Sequence, residues 1–237
     1  MAAGQGFFIT ATGTDVGKTV ITAGLAGFLK QMGFRTGVMK PVQSGHELHD
    51  PASDGMRLKM WSGCQDAVED IVSYHFLPPV APGVAAMWEN TEIHPEKILA
   101  DLDRLKKRYD VILVEGAGGW VVPLGADWTV GDLAKQIGWP VLIVASPRLG
   151  TINHTALTAI AVRQAGCTPA GVILNGWTEE AHDPGMGENR KWIERFAGVP
   201  VWGTVPQLEE LNPETILNAV SRNIDRSLVM NYLKRED

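Results

Sequence analysis

FFITATGTDVGKTVITAGLAGFLKQMG, residues 7–33, is the stretch on which the fold turns. The apolar run Gly6–Thr12 reads as a buried strand, and a Gly/Thr-rich turn follows it, ending in Gly17-Lys18-Thr19. Lys18–Met32 then carries Val20, Ile21, Leu25, Phe28 and Leu29 at helical spacing. Strand, turn and helix in that order suit a phosphate-binding loop. Backbone N–H groups of such a turn, and of the helix start behind it, attract anions. Lys18 would place a point charge at the β/γ-phosphates, and the Thr19 hydroxyl would ligate Mg²⁺. The strict pattern has glycine five residues before Gly17, where this chain has Thr12, with Gly13 one place later. The competing reading is an ordinary Gly-rich strand-to-helix turn.

The same alternation continues downstream. Thr36–Lys40 reads as a second strand stopped by Pro41. Ile93–Lys107 shows Ile98, Leu99, Leu102 and Leu105 at helical spacing, and DVILVE (110–115) follows as a strand. WPVLIVAS (139–146) precedes a helix from about Thr151 to Ala165, and PAGVILN (169–175) precedes one from about Glu188 to Phe196. PVWGTVP (200–206) is the last strand candidate. A C-terminal helix is expected from near Pro213, with Ile216, Leu217, Val220, Ile224 and Leu228 on one face. Strands apolar on both faces, alternating with helices, imply an α/β fold whose mainly parallel central sheet is covered on both sides. The 237 residues suit one such domain, 1–237, better than two small ones. Ligands gather at the carboxyl ends of parallel strands. The Thr10–Thr19 loop, Lys40, Glu115, Ser146 and Asn175 are therefore expected along one edge.

Composition narrows the classes of partner. A hydrophobic fraction of 45% with 20% charged residues supports a sizeable core, and the net charge of -6 argues against a nucleic-acid binder. No apolar run reaches the roughly 18–20 residues that span a bilayer. The start of the chain shows no basic region followed by an apolar leader, so no signal peptide and no membrane partner are expected, and a cytoplasmic location is. Cys64 and Cys167 lack metal-ligand spacing and are expected as reduced, packed thiols.

Four stretches carry a specific resemblance: TGTDVGKT (12–19), MKPVQSG (39–45), VEGAGGWVVPL (114–124) and LGTINHTALTA (149–159). In this order and spacing the chain resembles the dethiobiotin synthetase family, from residue 7 to about residue 212. The resemblance implies a P-loop NTPase fold and an ATP-dependent cyclo-ligase of biotin biosynthesis. Its expected substrates are 7,8-diaminononanoate, CO₂ and ATP, its metal is Mg²⁺, and its products are dethiobiotin, ADP and phosphate.

By the same resemblance Lys40 matches the catalytic lysine and works with Lys18, while Thr14 sits where the family contacts the carbamate. Thr19, Asp54 and Glu115 match the Mg²⁺ ligands. Glu115 also has support of its own, because a carboxylate ending VILV is costly to bury without a cation or a donor. For Asp54 a helix N-cap within ASDG is the competing reading. Asp15, Val16, Gly17 and Val20 complete the nucleotide loop. Gly116, Ala117 and Gly118 bring backbone close to nucleotide or carbamate, unless the GAGG run is a tight turn alone. Asn175 and Gly176, with Thr204, Val205 and Pro206, are expected around the adenine, although an asparagine at a strand end is also a common turn former. Ser44 matches a substrate-contacting hydroxyl. Gly150, Thr151 and Asn153 open a helix, with Thr151 or Asn153 as cap, that would take the diamine carboxylate bound by a neighbouring subunit. A homodimer is thereby implied.

The family's first glycine is replaced by Ala11, which leaves the shape of the loop open. HELH (46–49) reads as solvated histidines and RLKKRYD (104–110) as a solvated helix end. Trp61, Trp139 and Trp202 are expected in core or interface packing, and Trp120, beside the glycines, as a wall of the site. The main rival is a switch ATPase of the partitioning and cell-division type, which shares the deviant P-loop. That group usually adds a lysine early in the loop, and here no lysine precedes Lys18. An amidotransferase-related synthetase would need a further glutaminase domain. A degenerate nucleotide-binding module fits poorly with Lys18, Thr19, Lys40 and Glu115 together.

Overall fold

The computed structural model describes residues 5–178 and 187–233. Strand β1 (Gln5–Ala11) leads through the Gly/Thr-rich turn into helix α1 (Lys18–Gln31) and on to β2 (Thr36–Met39). An excursion follows, made of β3 (Val42–Ser44), α2 (Asp54–Ser62), α3 (Val68–Ile71), β4 (Tyr74–Phe76) and α4 (Pro82–Trp88). The alternation resumes with α5 (Pro95–Lys106), β5 (Val111–Glu115), α6 (Val130–Ile137), β6 (Val141–Ala145), α7 (Thr151–Gln164) and β7 (Pro169–Trp177). It ends with α8 (Asn189–Ala197), β8 (Val201–Pro206), α9 (Pro213–Asn223) and α10 (Arg226–Met230).

The central sheet has the order β2-β5-β1-β6-β7-β8, and every pairing in it is parallel. Strands β3 and β4 form a separate parallel pair. Alternating side chains divide the core into two layers. Phe7, Ile9, Val111 and Leu113 pack with α1, α2 and α9 through Leu25, Leu58 and Val220. Phe8, Ile112 and Val114 point the other way, onto Ile98 and Leu102 of α5 and Leu133 of α6. Further along that second face Ile143, Val172 and Leu174 meet Ala159 of α7 and Ile193 of α8. Helices on both faces explain why the strands read as unbroken apolar runs.

Register decides what meets at the carboxyl edge. Ile9 pairs with Glu115 and Met39 with Val114, so Lys40, one residue on, stands level with Glu115. The P-loop leaves β1 beside them. On the far side of β1 come the ends of β6, β7 and β8.

One expectation needs correction, and two others need extending. The C-terminal helix is two helices. Ile224 leaves helical geometry to bridge antiparallel to Gly203, and Asp225 then caps α10 by accepting from Ser227 N at 2.8 Å. Gly203 is required there, because a Cβ would lie 2.0 Å from the Asn223 carbonyl oxygen. The RLKKRYD run is the exposed end of α5, and it also forms a seam: Arg108 pairs with Asp66 and Asp70 at 3.2 Å, and the Tyr109 hydroxyl donates to Asp66 at 2.8 Å. Its last residue, Asp110, accepts from Arg35 N and Nε at 2.8 and 3.0 Å. Finally, β3, β4, α2, α3, α4 and α6 were not foreseen as elements. Elsewhere Trp202 is 1% exposed and packs edge-on to Phe7, whereas Trp61 and Trp139 are half-buried against the two layers. Cys64 and Cys167 are free thiols. His46 pairs with Asp50 at 2.9 Å and His49 with Glu69 at 3.0 Å, all four side chains well exposed.

Candidate active site

Lys40 is 1% exposed at the end of the β2 stretch. A buried ammonium is costly unless paired. Its Nζ meets Asp54 Oδ2 at 2.7 Å and Glu115 Oε1 at 2.8 Å. The Thr19 hydroxyl donates to the same Glu115 oxygen at 2.9 Å. Burial opposes the charge on Lys40, but Glu115 and Asp54 outweigh it and hold its pKa above the ordinary lysine value. The Lys40 charge in turn holds the Asp54 carboxyl below its usual range. Lys18 lies in the same field, 8% exposed. Burial first, and then repulsion from Lys40, lower its pKa to about 8. Asp54 is not the helix cap: Ser53 is, its Oγ accepting from Met56 N at 3.2 Å, which leaves the Asp54 carboxylate for Lys40.

The donor set suits a hard cation. Mg²⁺ takes oxygen ligands and keeps several waters. Two carboxylates and a hydroxyl converge here, and Glu115 Oε2 is buried without a hydrogen-bond partner. Among the described residues no group of three or more His, Cys, Asp or Glu forms a metal cluster, so any such ion would rest on this mixed set.

The P-loop curls through two left-handed residues, Asp15 at φ 57° and Gly17 at φ 83°. A side chain at Gly17 is excluded twice over, because a Cβ would also lie 2.1 Å from Asn175 Nδ2. Ala11 is the last residue of β1, 1% exposed and not left-handed, so its methyl group is accommodated there without strain. The GAGG run packs onto the loop: a Cβ at Gly119 would sit 3.4 Å from the Ala11 carbonyl oxygen, and one at Gly118 (φ 62°) would sit 3.7 Å from the exposed Thr14 methyl. Gly116 answers to packing, since a Cβ there would meet Val130 at 2.9 Å and the Phe8 ring at 3.2 Å. Trp120 is 7% exposed and lies against Gly131, under this loop.

Beyond the loop lies a cavity of about 280 Å³. Asp15, Val16, Gly17 and Val20 line one side and Asn175, Gly176 and Pro206 another. Val205 is fully buried in the core and does not line the cavity. The Asn175 amide, which lines this cavity as expected, donates from Nδ2 to the Val16 carbonyl at 3.0 Å and thus ties β7 to the P-loop. Ser44 and the start of α7 belong to neither group. The Ser44 hydroxyl donates to the Val80 carbonyl at 2.7 Å. The cap of α7 is Gly150 at φ 96°, neither Thr151 nor Asn153. Thr151 is 4% exposed with its hydroxyl unpartnered, and Asn153 is exposed on the first turn.

A family model described as an AAA domain matches residues 5–215. The ATP-dependent dethiobiotin synthetase of Bacillus subtilis (strain 168) is 43% identical over 229 residues, which is 97% of this chain and 99% of the relative. The chain belongs to the dethiobiotin synthetase family. The corresponding synthetase of Bacillus licheniformis is 42% identical over 232 residues, 97% of each chain. The MinC:MinD cell division protein complex of Aquifex aeolicus is similar in structure, with a TM-score of 0.60 over 98% of both chains, but at 15% identity that likeness speaks for the fold alone.

Within this dethiobiotin synthetase fold the strand-end rule finds Lys18, Thr19, Lys40 and Glu115 in one place and the Asn175 loop in the neighbouring cavity. It misses Arg148, Gln207, Leu208 and Leu211, which also line the cavity. Gln207 stands opposite Gly176, where a Cβ would lie 3.1 Å from its Oε1. The available signal was position alone, since Arg148 and Gln207 closely follow the ends of β6 and β8.

Proposed function

We propose that this member of the family closes the ureido ring of dethiobiotin from 7,8-diaminononanoate, CO₂ and ATP. The observation that carries the residue roles is the convergence of Lys40, Asp54, Glu115 and Thr19 beside the buried Lys18. One amine of the diamine takes up CO₂ and loses a proton to give a carbamate. A carbamate oxygen attacks the γ-phosphorus of ATP, and ADP leaves. The second amine attacks the carbonyl carbon of the mixed anhydride, and phosphate departs as the ring closes. A carbamate and a triphosphate repel, so the protein's work is positioning and charge cancellation. Lys18 and Lys40 supply cations at the carbamate and γ-phosphoryl group, and Thr14 lies on the loop facing them. Mg²⁺, held by Thr19, Asp54 and Glu115, would withdraw charge from the phosphate oxygens.

The P-loop backbone from Asp15 to Val20 and the Gly116–Gly118 backbone flank the phosphates. Asn175, Gly176 and the backbone of Thr204–Pro206 surround the adenine. Ser44 contacts the diamine. Gly150, Thr151 and Asn153, at an α7 start with an unpartnered buried hydroxyl, take the carboxylate tail of a diamine bound by the second subunit of a homodimer. Leu149, Leu157 and Ile160 are 92, 57 and 44% exposed around that helix, apolar surface that a subunit contact would cover. Sedimentation velocity tests the dimer, with Leu157→Glu expected to shift it to monomer. No helix among the described residues is long and apolar enough to cross a membrane.

The decisive experiment incubates pure protein with diaminononanoate, bicarbonate, Mg²⁺ and ATP. Dethiobiotin and ADP should appear in equal amounts. ATP turnover indifferent to the diamine would instead favour the switch-ATPase reading. Lys40→Gln should lower turnover by at least about 10²-fold, the scale of losing one charge-stabilising group, with the fold retained by circular dichroism.

A further inference from the structure

Lys40 and Gln43 stand three residues apart in the KPVQSG stretch, and both reach the first turn of α2. Lys40 holds the Asp54 carboxylate at 2.7 Å, and Gln43 Oε1 accepts from the very next backbone N–H, that of Gly55, at 2.7 Å. The Gln43 side chain is 2% exposed. A helix start leaves several N–H groups without partners inside the helix. Here Ser53 satisfies that of Met56 from within the chain turn, and Gln43 satisfies that of Gly55 from a different element. Gly55 permits the approach, since a Cβ there would lie 2.4 Å from Val72 and 3.0 Å from Gln43 Oε1. Asp54 itself has a half-exposed side chain, so its surroundings alone do not fix where the carboxylate lies.

We infer that Gln43 is a positioning residue, whose buried carboxamide clamps the start of α2 so that Asp54 is held against Lys40. The strand that follows the lysine thus also sets the lysine's counter-ion. The inference rests on the reading of Asp54 as a site carboxylate.

Gln43→Met keeps length and packing but removes the acceptor, and Gln43→Ala is a second variant should the first not fold. Mg²⁺ is titrated calorimetrically into protein saturated with ADP, and ADP into metal-free protein, for wild type, Gln43→Met, Asp54→Asn and the double variant. Gln43→Met should weaken Mg²⁺ binding by about tenfold, as loss of a residue that orients a ligand does, and leave metal-free ADP binding nearly unchanged. It should add nothing to Asp54→Asn, because both act through one carboxylate. Where Asp54→Asn weakens Mg²⁺ binding, unchanged Mg²⁺ affinity in Gln43→Met, or a full additional loss on top of Asp54→Asn, would overturn the inference. If Asp54→Asn alone leaves Mg²⁺ binding intact, the ligand reading of Asp54 falls, and a crystal structure of Gln43→Met decides the clamp. A Lys40–Asp54 contact kept at 2.7 Å rejects it, and a broken one upholds it.

Discussion

Lys18 and Lys40 are buried at the same strand edge, yet their surroundings drive them in opposite directions. Lys40 has two carboxylates on its nitrogen, whereas Lys18 has no ion pair among the described residues and feels burial and the Lys40 charge first. With its pKa lowered from 10.5 to about 8, Lys18 destabilises the nucleotide-free fold at neutral pH, where it is charged both folded and unfolded. Between about pH 8 and 10.5 the unfolded chain binds more protons, so this group's contribution to stability rises with pH across that window. Lys18→Met should therefore stabilise the empty protein by about 1–3 kcal/mol at pH 7 in urea denaturation while removing ATP binding. By the same token ATP affinity in wild type should fall above pH 8, since the anion must then be met by a neutral amine or bring its own proton.

At the scale of elements, α1 and α9 pack through glycine. A Cβ at Gly24 would lie 2.3 Å from Val220 Cγ2, and one at Gly27 would lie 3.0 Å from Leu217 Cδ1. Gly24→Val should cost about 1–3 kcal/mol or more by forcing the two helices apart, read from the urea midpoint. How much could be read beforehand differs between elements for physical reasons. The strands β1, β5, β6, β7 and β8 and the helices α1, α5, α7 and α8 announce themselves because they carry long apolar runs or full helical periods. The excursion from β3 to α4 does not, since its pieces are short and its meaning lies in contacts such as Gln43 with Gly55. Periodicity also carried the last helix straight past Ile224, because the spacing of apolar residues continues while the backbone turns aside to bridge Gly203. At the site, strand ends located the lysines and Glu115, but the tie from Asn175 to Val16 joins residues 159 apart and leaves no local trace.

For the molecule as a whole, the site and the fold share one edge of one sheet, so nucleotide binding and stability are linked. ATP with Mg²⁺ at about a hundred times its dissociation constant should stabilise the protein by about 2.7 kcal/mol, raising the melting temperature by roughly 5–10 °C for a domain of this size. Scanning calorimetry checks this, and Lys18→Met should abolish the rise. The opposite flank of the molecule has a different consequence. Strand β8 is the outermost of the six, and Ile224 lies antiparallel to Gly203 while Asp225 N donates to the Trp202 carbonyl at 2.8 Å. An open outer strand is a template for edge-to-edge zipping and fibril growth. By laying its own tail against that ribbon at Trp202 and Gly203, the chain interrupts the template at mid-strand, which disfavours copies extending one another's pleats there.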